Sequence, residues 1–284
     1  MDLVRPADLD EALAARAARP DALALRGGTD VMVELNLDKT RPEALLDLAR
    51  VRALDGWSAD GGRVRLGAAL THGEVVAELG ALLPAVAAAA RATGSAQIRN
   101  RATVGGNVGT ASPSGDVLCA LLAAGAEVEL GSVLGRRRVA LAEFVTGPKQ
   151  TARAPDELIC ALHVPAAAGP QAYAKVAARN AMVMGTCALG LCLDAGRRSV
   201  SVAAGGVAPT PVRAPAAEAF AAAALDWDGR GPLGPDVAGR FAALVLAATD
   251  PQDDVRGTAA YRRHALGVLA RRCLAWTWEE HRCA

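Results

Sequence analysis

The sequence predicts an α+β protein in two parts, an N-terminal α+β region to about residue 168 and a C-terminal α+β domain. Three observations predict it. Short apolar runs lead through glycine turns into helical periodicity in the first half. Polar and apolar residues alternate in strand-length segments between alanine-rich helical stretches. After a linker at Ala166–Pro170, three strand-like runs are followed by three helical ones.

Pro6-Ala7-Asp8 opens a helix to about Arg19, with Leu9, Ala12, Leu13 and Arg16 on one stripe and Pro20-Asp21 as its stop. Ala22–Leu25 reads as a strand, Arg26 to Asp30 as a glycine turn, and Val31–Leu37 as a helix. Ala44–Leu48 is the next strand, and Arg63–Ala68 alternates as a half-buried strand does. Thr71–Leu83 and Pro84–Ala92 read as helices, Ser95–Ala111 as a glycine-rich polar segment, and Asp116–Ala124 as a closely packed helix. Strands follow at Ala126–Leu130, Val139–Val145 and Glu157–Val164. The C-terminal part reads as a three-stranded antiparallel sheet (Ala172–Ala177, Cys187–Leu193, Val200–Gly206) with helices at Ala214–Leu225, Asp236–Ala247 and Thr258–Trp276.

The 284 residues carry a net charge of +1, which argues against nucleic acid or an anionic membrane as partner. The longest apolar stretches are too short to span a bilayer. Met1 to Glu11 is acidic where a secretory leader is basic and then apolar, so the chain is expected in the cytoplasm. None of the six cysteines forms a C-x-x-C pair, so no metal site and no iron–sulfur cluster is expected in this chain.

Two glycine-rich segments carry the chemistry. Arg26-Gly27-Gly28-Thr29-Asp30 lies between a strand and a helix start, where glycines allow positive φ and unpaired N–H groups suit a diphosphate. Thr93 to Asp116 holds five glycines among donors and acceptors, and a long stretch without regular structure in a compact domain is usually functional. Its hydroxyls and amides suit a phosphate and sugar, and Asp116 suits ribityl or ribose hydroxyls; a surface loop is the plain alternative. Neither segment is a dinucleotide G-x-G-x-x-G fingerprint or a G-x-x-x-x-G-K-[ST] loop.

On LRGGTDV (25–31), GAALTH (67–72), QIRNRATVGGNVGTASPSGD (97–116), PDELICALHVP (155–165), AKVAAR (174–179), VAAGGVAPTPVR (202–213) and DVRGTAAYRR (254–263), the chain resembles the FAD-binding subunits of molybdenum hydroxylases. That family includes the carbon monoxide dehydrogenase medium subunit and the xanthine dehydrogenase FAD-binding subunit. The resemblance implies a vanillyl-alcohol-oxidase-type fold. FAD would lie between subdomains 1–55 and 56–168, with a C-terminal α+β domain, 169–284, over the flavin end. It implies that Leu25, Arg26, Gly27, Gly28, Thr29, Asp30 and Val31 wrap the diphosphate. Thr103, Val104, Gly105, Gly106 and Asn107 would line the same groove, with the Thr103 hydroxyl and glycine N–H groups as donors, and Ser112 would be a further contact. Asp116 would hold the ribityl or ribose, Ile159 would lie against the isoalloxazine, and Lys175 near its polar edge.

Lys175 also has a local argument. It is one of three lysines among 28 arginines, and a compact ammonium does not replace a guanidinium. Thr93 stands where xanthine dehydrogenases often carry an aromatic residue. The four-cysteine insertion of the 4-hydroxybenzoyl-CoA reductase flavin subunit is absent. His72 lies in a matching motif, with a structural histidine as the plain reading, and no catalytic base is assigned.

The resemblance further implies a molybdopterin-binding large subunit and a [2Fe–2S] small subunit, as a dimer of heterotrimers. Electrons would pass to NAD+, a quinone or oxygen, and the organic substrate would be a purine or other N-heterocycle, an aldehyde or CO. Arg136-Arg137-Arg138 and Arg262-Arg263 are candidate contact surfaces. A stand-alone FAD-dependent oxidase and an FAD-free structural subunit are the alternatives.

Overall fold

A computed structural model describes all 284 residues. It holds three main sheets, each with its own helices. The first lobe runs β1 (Asp2–Val4), α1 (Leu9–Ala18), β2 (Leu23–Leu25), α2 (Val31–Asn36) and β3 (Ala44–Asp47), with parallel strands in the order β1-β3-β2. Asp8 caps α1 by accepting from the Glu11 N–H at 2.9 Å, and Leu9, Ala12, Leu13 and Arg16 are buried as the stripe predicts. Strand β1 carries no alternation to betray it; it exists because β3 gives it a partner.

The second lobe contains β4 (Trp57–Asp60), β5 (Arg63–Gly67), α3 (His72–Glu78), α4 (Pro84–Ala92), α5 (Ala96–Arg99), α6 (Val104–Thr110) and α7 (Asp116–Ala123). It continues with β6 (Glu127–Ser132), β7 (Gly135–Ala140), α8 (Leu141–Phe144), the hairpin β8 (Val145–Gly147) and β9 (Gln150–Thr151), and β10 (Leu158–Pro165). Its five-stranded sheet is antiparallel in the order β4-β5-β10-β6-β7.

The segment expected to be irregular, Ser95–Ala111, is largely two short helices. Ser95 and Thr103 cap them by accepting from Ile98 and Gly106 N–H groups. Glycine disfavours a helix by about 1 kcal/mol each, but here tertiary packing holds the turn. The strand expected at Val139–Val145 instead ends at Ala140, and the chain turns into α8 to bury Leu141 and Phe144.

The third sheet is antiparallel: β11 (Gln171–Val176), β12 (Cys187–Asp194), β13 (Ser199–Gly205), then a fourth, two-residue strand β14 (Val212–Arg213). Helices α9 (Pro215–Ala224) and α11 (Ala259–Cys283) pack on one face of it, and α10 (Pro235–Ala247) packs against both helices. Helix α7 lies against the other face, and all eight of its residues are buried. Gly190 and Gly205 make this approach feasible: a Cβ on Gly190 would meet that of Ala123 at 3.1 Å, and one on Gly205 would touch Cys119. The packing fixes the α7 N-terminus, and with it Asp116, where the second lobe meets the third unit.

Two expected contact surfaces change character. Arg136 and Arg137 are bonded within the chain, to Glu129 at 2.5 Å and Glu157 at 2.6 Å. Arg262 is buried at 3% exposure, so of the second pair only Arg263 is exposed.

Candidate functional site

A cavity of about 690 Å³ lies between the first and second lobes and reaches the third unit. One wall is the turn after β2. Gly28 takes φ +78°, which tips the chain from strand into α2. The N–H groups of Gly27, Gly28, Thr29, Asp30 and Val31 donate to no protein acceptor, although all five residues line the cavity. Consecutive amides left over at a turn form an anion nest. Arg26 is held aside by Asp55 at 3.1 Å, and Asp30 accepts from the Thr110 hydroxyl of the opposite lobe at 3.1 Å.

The facing wall is built on α6, and it corrects part of the sequence reading. Its amides are already used within the protein: Val104 N–H bonds Leu70 O at 2.9 Å, Gly105 N–H bonds Ala68 O at 2.9 Å, and Asn107 N–H bonds Thr103 O at 2.9 Å. Gly106 N–H bonds the Thr103 hydroxyl oxygen at 3.0 Å, which leaves that hydroxyl free to donate. Val104 is fully buried and faces the core rather than the cavity. Asn107 borders the cavity, but its Oδ1 caps α7 by accepting from Leu118 N–H at 2.9 Å. Gly105 serves lobe packing: a Cβ there would lie 2.7 Å from both Cβ and O of Ala68.

Thr93, Ser112, Asp116 and Ile159 complete the wall. Ile159 sits at a break in the β10–β6 register, where a bulge re-aims the strand. Lys175, expected beside the ligand, stands behind Asp116 and off the wall. Its ammonium donates to Asp116 Oδ2 at 2.9 Å, Ala92 O at 2.7 Å and Val183 O at 3.3 Å, which uses all three donors. Tyr173 donates to the other Asp116 oxygen at 2.5 Å. Burial pushes the Asp116 carboxyl above its ordinary value, while Lys175 and Tyr173 pull it back.

Residues 1–167 match the family model described as the FAD binding domain in molybdopterin dehydrogenase. The chain belongs to this family. Residues 172–277 of the flavoprotein match a second model, the CO dehydrogenase flavoprotein C-terminal domain. The flavoprotein is 32% identical over 284 residues to the putative xanthine dehydrogenase FAD-binding subunit XdhB of Escherichia coli, covering 95% of this chain and 94% of that one. It is 28% identical over 279 residues to the nicotine 6-hydroxylase medium subunit of Paenarthrobacter nicotinovorans, with 95% and 94% covered. Carbon monoxide dehydrogenase from Hydrogenophaga pseudoflava contains a chain that superposes with TM-score 0.90 at 28% identity, covering 100% of this chain and 98% of that one. The flavoprotein is thus an oxidoreductase component whose cofactor is FAD. No helix of it is long and apolar enough to cross a membrane.

The cavity fits such a cofactor. It offers a nest for a diphosphate, hydroxyls for sugar, and apolar side chains at Ile159, Met182, Val183 and Met184. Those last three residues were not anticipated, although two of the chain's four methionines stand together there. Arg153 was also missed: it lines the cavity and has no carboxylate within salt-bridge distance. One arginine among 28 gives no signal in sequence.

His72 sits in the same wall at 1% exposure, and neither ring nitrogen has a hydrogen-bond partner. Burial, opposed by the Thr103 backbone and aided by nearby Arg99, pushes its pKa from 6.5 down to about 4. The folded state therefore keeps it neutral while the unfolded chain takes up a proton below pH 6.5. Stability falls as pH drops from 6.5 toward 4, by ~3 kcal/mol at most from this residue. Denaturation midpoints across that window should flatten in His72→Gln. An unchanged slope would show that His72 does not control it.

Proposed function

We propose that this chain is the FAD-carrying electron-transfer subunit of a molybdopterin/[2Fe–2S]/FAD hydroxylase. It would take electrons from iron–sulfur clusters of a small subunit and pass them to NAD+, a quinone or oxygen. FAD supplies the chemistry that suits this post, because a flavin accepts electrons singly and releases them in pairs. The observation that carries the reading is the row of unused N–H groups at Gly27–Val31 opening into a cavity of dinucleotide scale.

The residues divide the work. The amides of Gly27 to Val31 bind the diphosphate, with Leu25 and Arg26 framing the turn. The Thr103 hydroxyl donates from the opposite lobe, and Ser112 and Asp116 serve the sugar or ribityl hydroxyls. Ile159 lies against the flavin. Gly105, Gly106 and Asn107 shape the groove, and Lys175 orients Asp116. In this reading residues 1–55 and 56–168 are the two halves of the binding fold and 169–284 its cover.

A molybdopterin-binding large subunit and a [2Fe–2S] small subunit complete the assembly as a dimer of heterotrimers. The relatives named for xanthine and nicotine support a purine or other N-heterocycle as substrate, bound on the large subunit. All six cysteines are free, which suits a reducing cytoplasm. An absorption spectrum of the purified chain, followed by titration with FAD and FMN, tests the reading. FAD bands, or saturable uptake of FAD in preference to FMN, are expected. No uptake of either would overturn it.

A further inference from the structure

The DVRGTAAYRR motif has no part in the cavity wall, yet it is tied to two segments that do. Asp254 is a hub. Its carboxylate accepts from Arg256 Nη2 at 2.6 Å, Arg256 Nε at 3.0 Å, the Arg256 amide at 2.7 Å, and Arg262. These bonds, those from Arg256 foremost, hold its carboxyl well below the usual range.

Each guanidinium then reaches onward. Arg256 Nη1 donates to the Ser114 hydroxyl at 2.8 Å, and Ser114 lines the cavity. Arg262, at 3% exposure, donates to Thr186 O at 3.1 Å and to Gly206 O. Gly206 N–H in turn holds Pro113 O at 2.8 Å, next to Ser114. Thr186 closes the segment that carries Met182, Val183 and Met184, and its hydroxyl donates to Arg256 O at 3.3 Å. Two arginines on one carboxylate thus pin both cavity segments from behind.

We propose that Asp254, Arg256 and Arg262 form a clamp through which the C-terminal domain sets the positions of the Ser114 turn and the Met182–Met184 segment, and thereby the affinity for FAD. They are positioning residues. The assignment rests on the FAD reading above. Its physical basis is the fork of Arg256, which bonds Asp254 and Ser114 together in a way a single ammonium does not.

The test uses the full chain freed of FAD and titrated with it, read by quenching of flavin fluorescence and by the visible circular dichroism of the bound flavin. Arg256 is one-third exposed, so Arg256→Met is the variant of choice, while Arg262→Met, at a buried site, is not needed. Arg256→Met should raise the Kd for FAD about tenfold, the scale of one lost charge-assisted bond, and change the flavin dichroism. Ser114→Ala should do the same, and the double variant should be no worse than either alone. Wild-type affinity and dichroism in Arg256→Met, or full additivity in the double variant, would overturn the clamp while the FAD reading stands. A wild-type chain that takes up no FAD would bring down both.

Discussion

Replacing Lys175 with alanine is expected to destabilise the chain by about 3–5 kcal/mol, because it strands a buried carboxylate. Asp116 and Lys175 side chains are only 8% and 11% exposed, and their 2.9 Å contact lies where α7, α4 and β11 meet. Burial alone already drives Asp116 toward its protonated form, and Lys175 is the one cation bonded to it. Without that cation the buried carboxylate is left unpaired, and the Ala92 and Val183 carbonyls lose their donor. Denaturant unfolding of Lys175→Ala measures the cost. Adding Asp116→Asn should recover much of it, since a neutral amide tolerates the site better than an unpaired charge. Flavin content should fall in the single variant because Asp116 forms part of the cavity wall. Unchanged stability, with unchanged flavin content and reoxidation kinetics, would remove Lys175 from the site altogether.

The second large effect concerns two adjacent glycines that look equivalent in the sequence. A Cβ on Gly27 would press into the Arg101 carbonyl oxygen, with Arg101 C at 2.9 Å and Ala102 Cα at 3.3 Å. These are backbone atoms of the opposite lobe and cannot swing aside. Gly27→Ala must therefore force the lobes apart, at about 1–3 kcal/mol for an overpacked contact, and displace the row of free amides. A Cβ on Gly28 meets only side-chain atoms, Leu25 Cδ1 and Met32 Cγ, both at 3.3 Å. Its cost is the positive φ, about 1–2 kcal/mol. FAD titration of both variants should thus show a large loss for Gly27→Ala and a smaller one for Gly28→Ala. The reverse order would show that the clash with Arg101 does not set the position of the turn.

The comparison of these glycines shows how far the sequence reaches. The β2–turn–α2 unit was legible because it is local: apolar run, glycine pair and helical period lie within 15 residues. The second glycine segment was legible as part of a site but misread in form. Its caps, Ser95 and Thr103, are ordinary helix starts, while its glycines hide the second helix from any propensity argument. The fourth strand of the third sheet, two residues long, carries no period at all.

Sequence order by itself determined the α+β class and the two glycine segments, since each rests on residue type and short-range spacing, and it singled out Asp116 and Lys175 as candidates. Tertiary structure alone decided how those residues are used. An amide is available to a ligand only if no distant carbonyl claims it: Leu70 and Ala68 claim those of Val104 and Gly105, whereas nothing claims those of Gly27 to Val31. Likewise an ammonium is available only until it meets buried acceptors, and Lys175 meets three. Such assignments depend on which segments the folded lobes bring within about 3 Å, a distance that spacing along the chain does not encode.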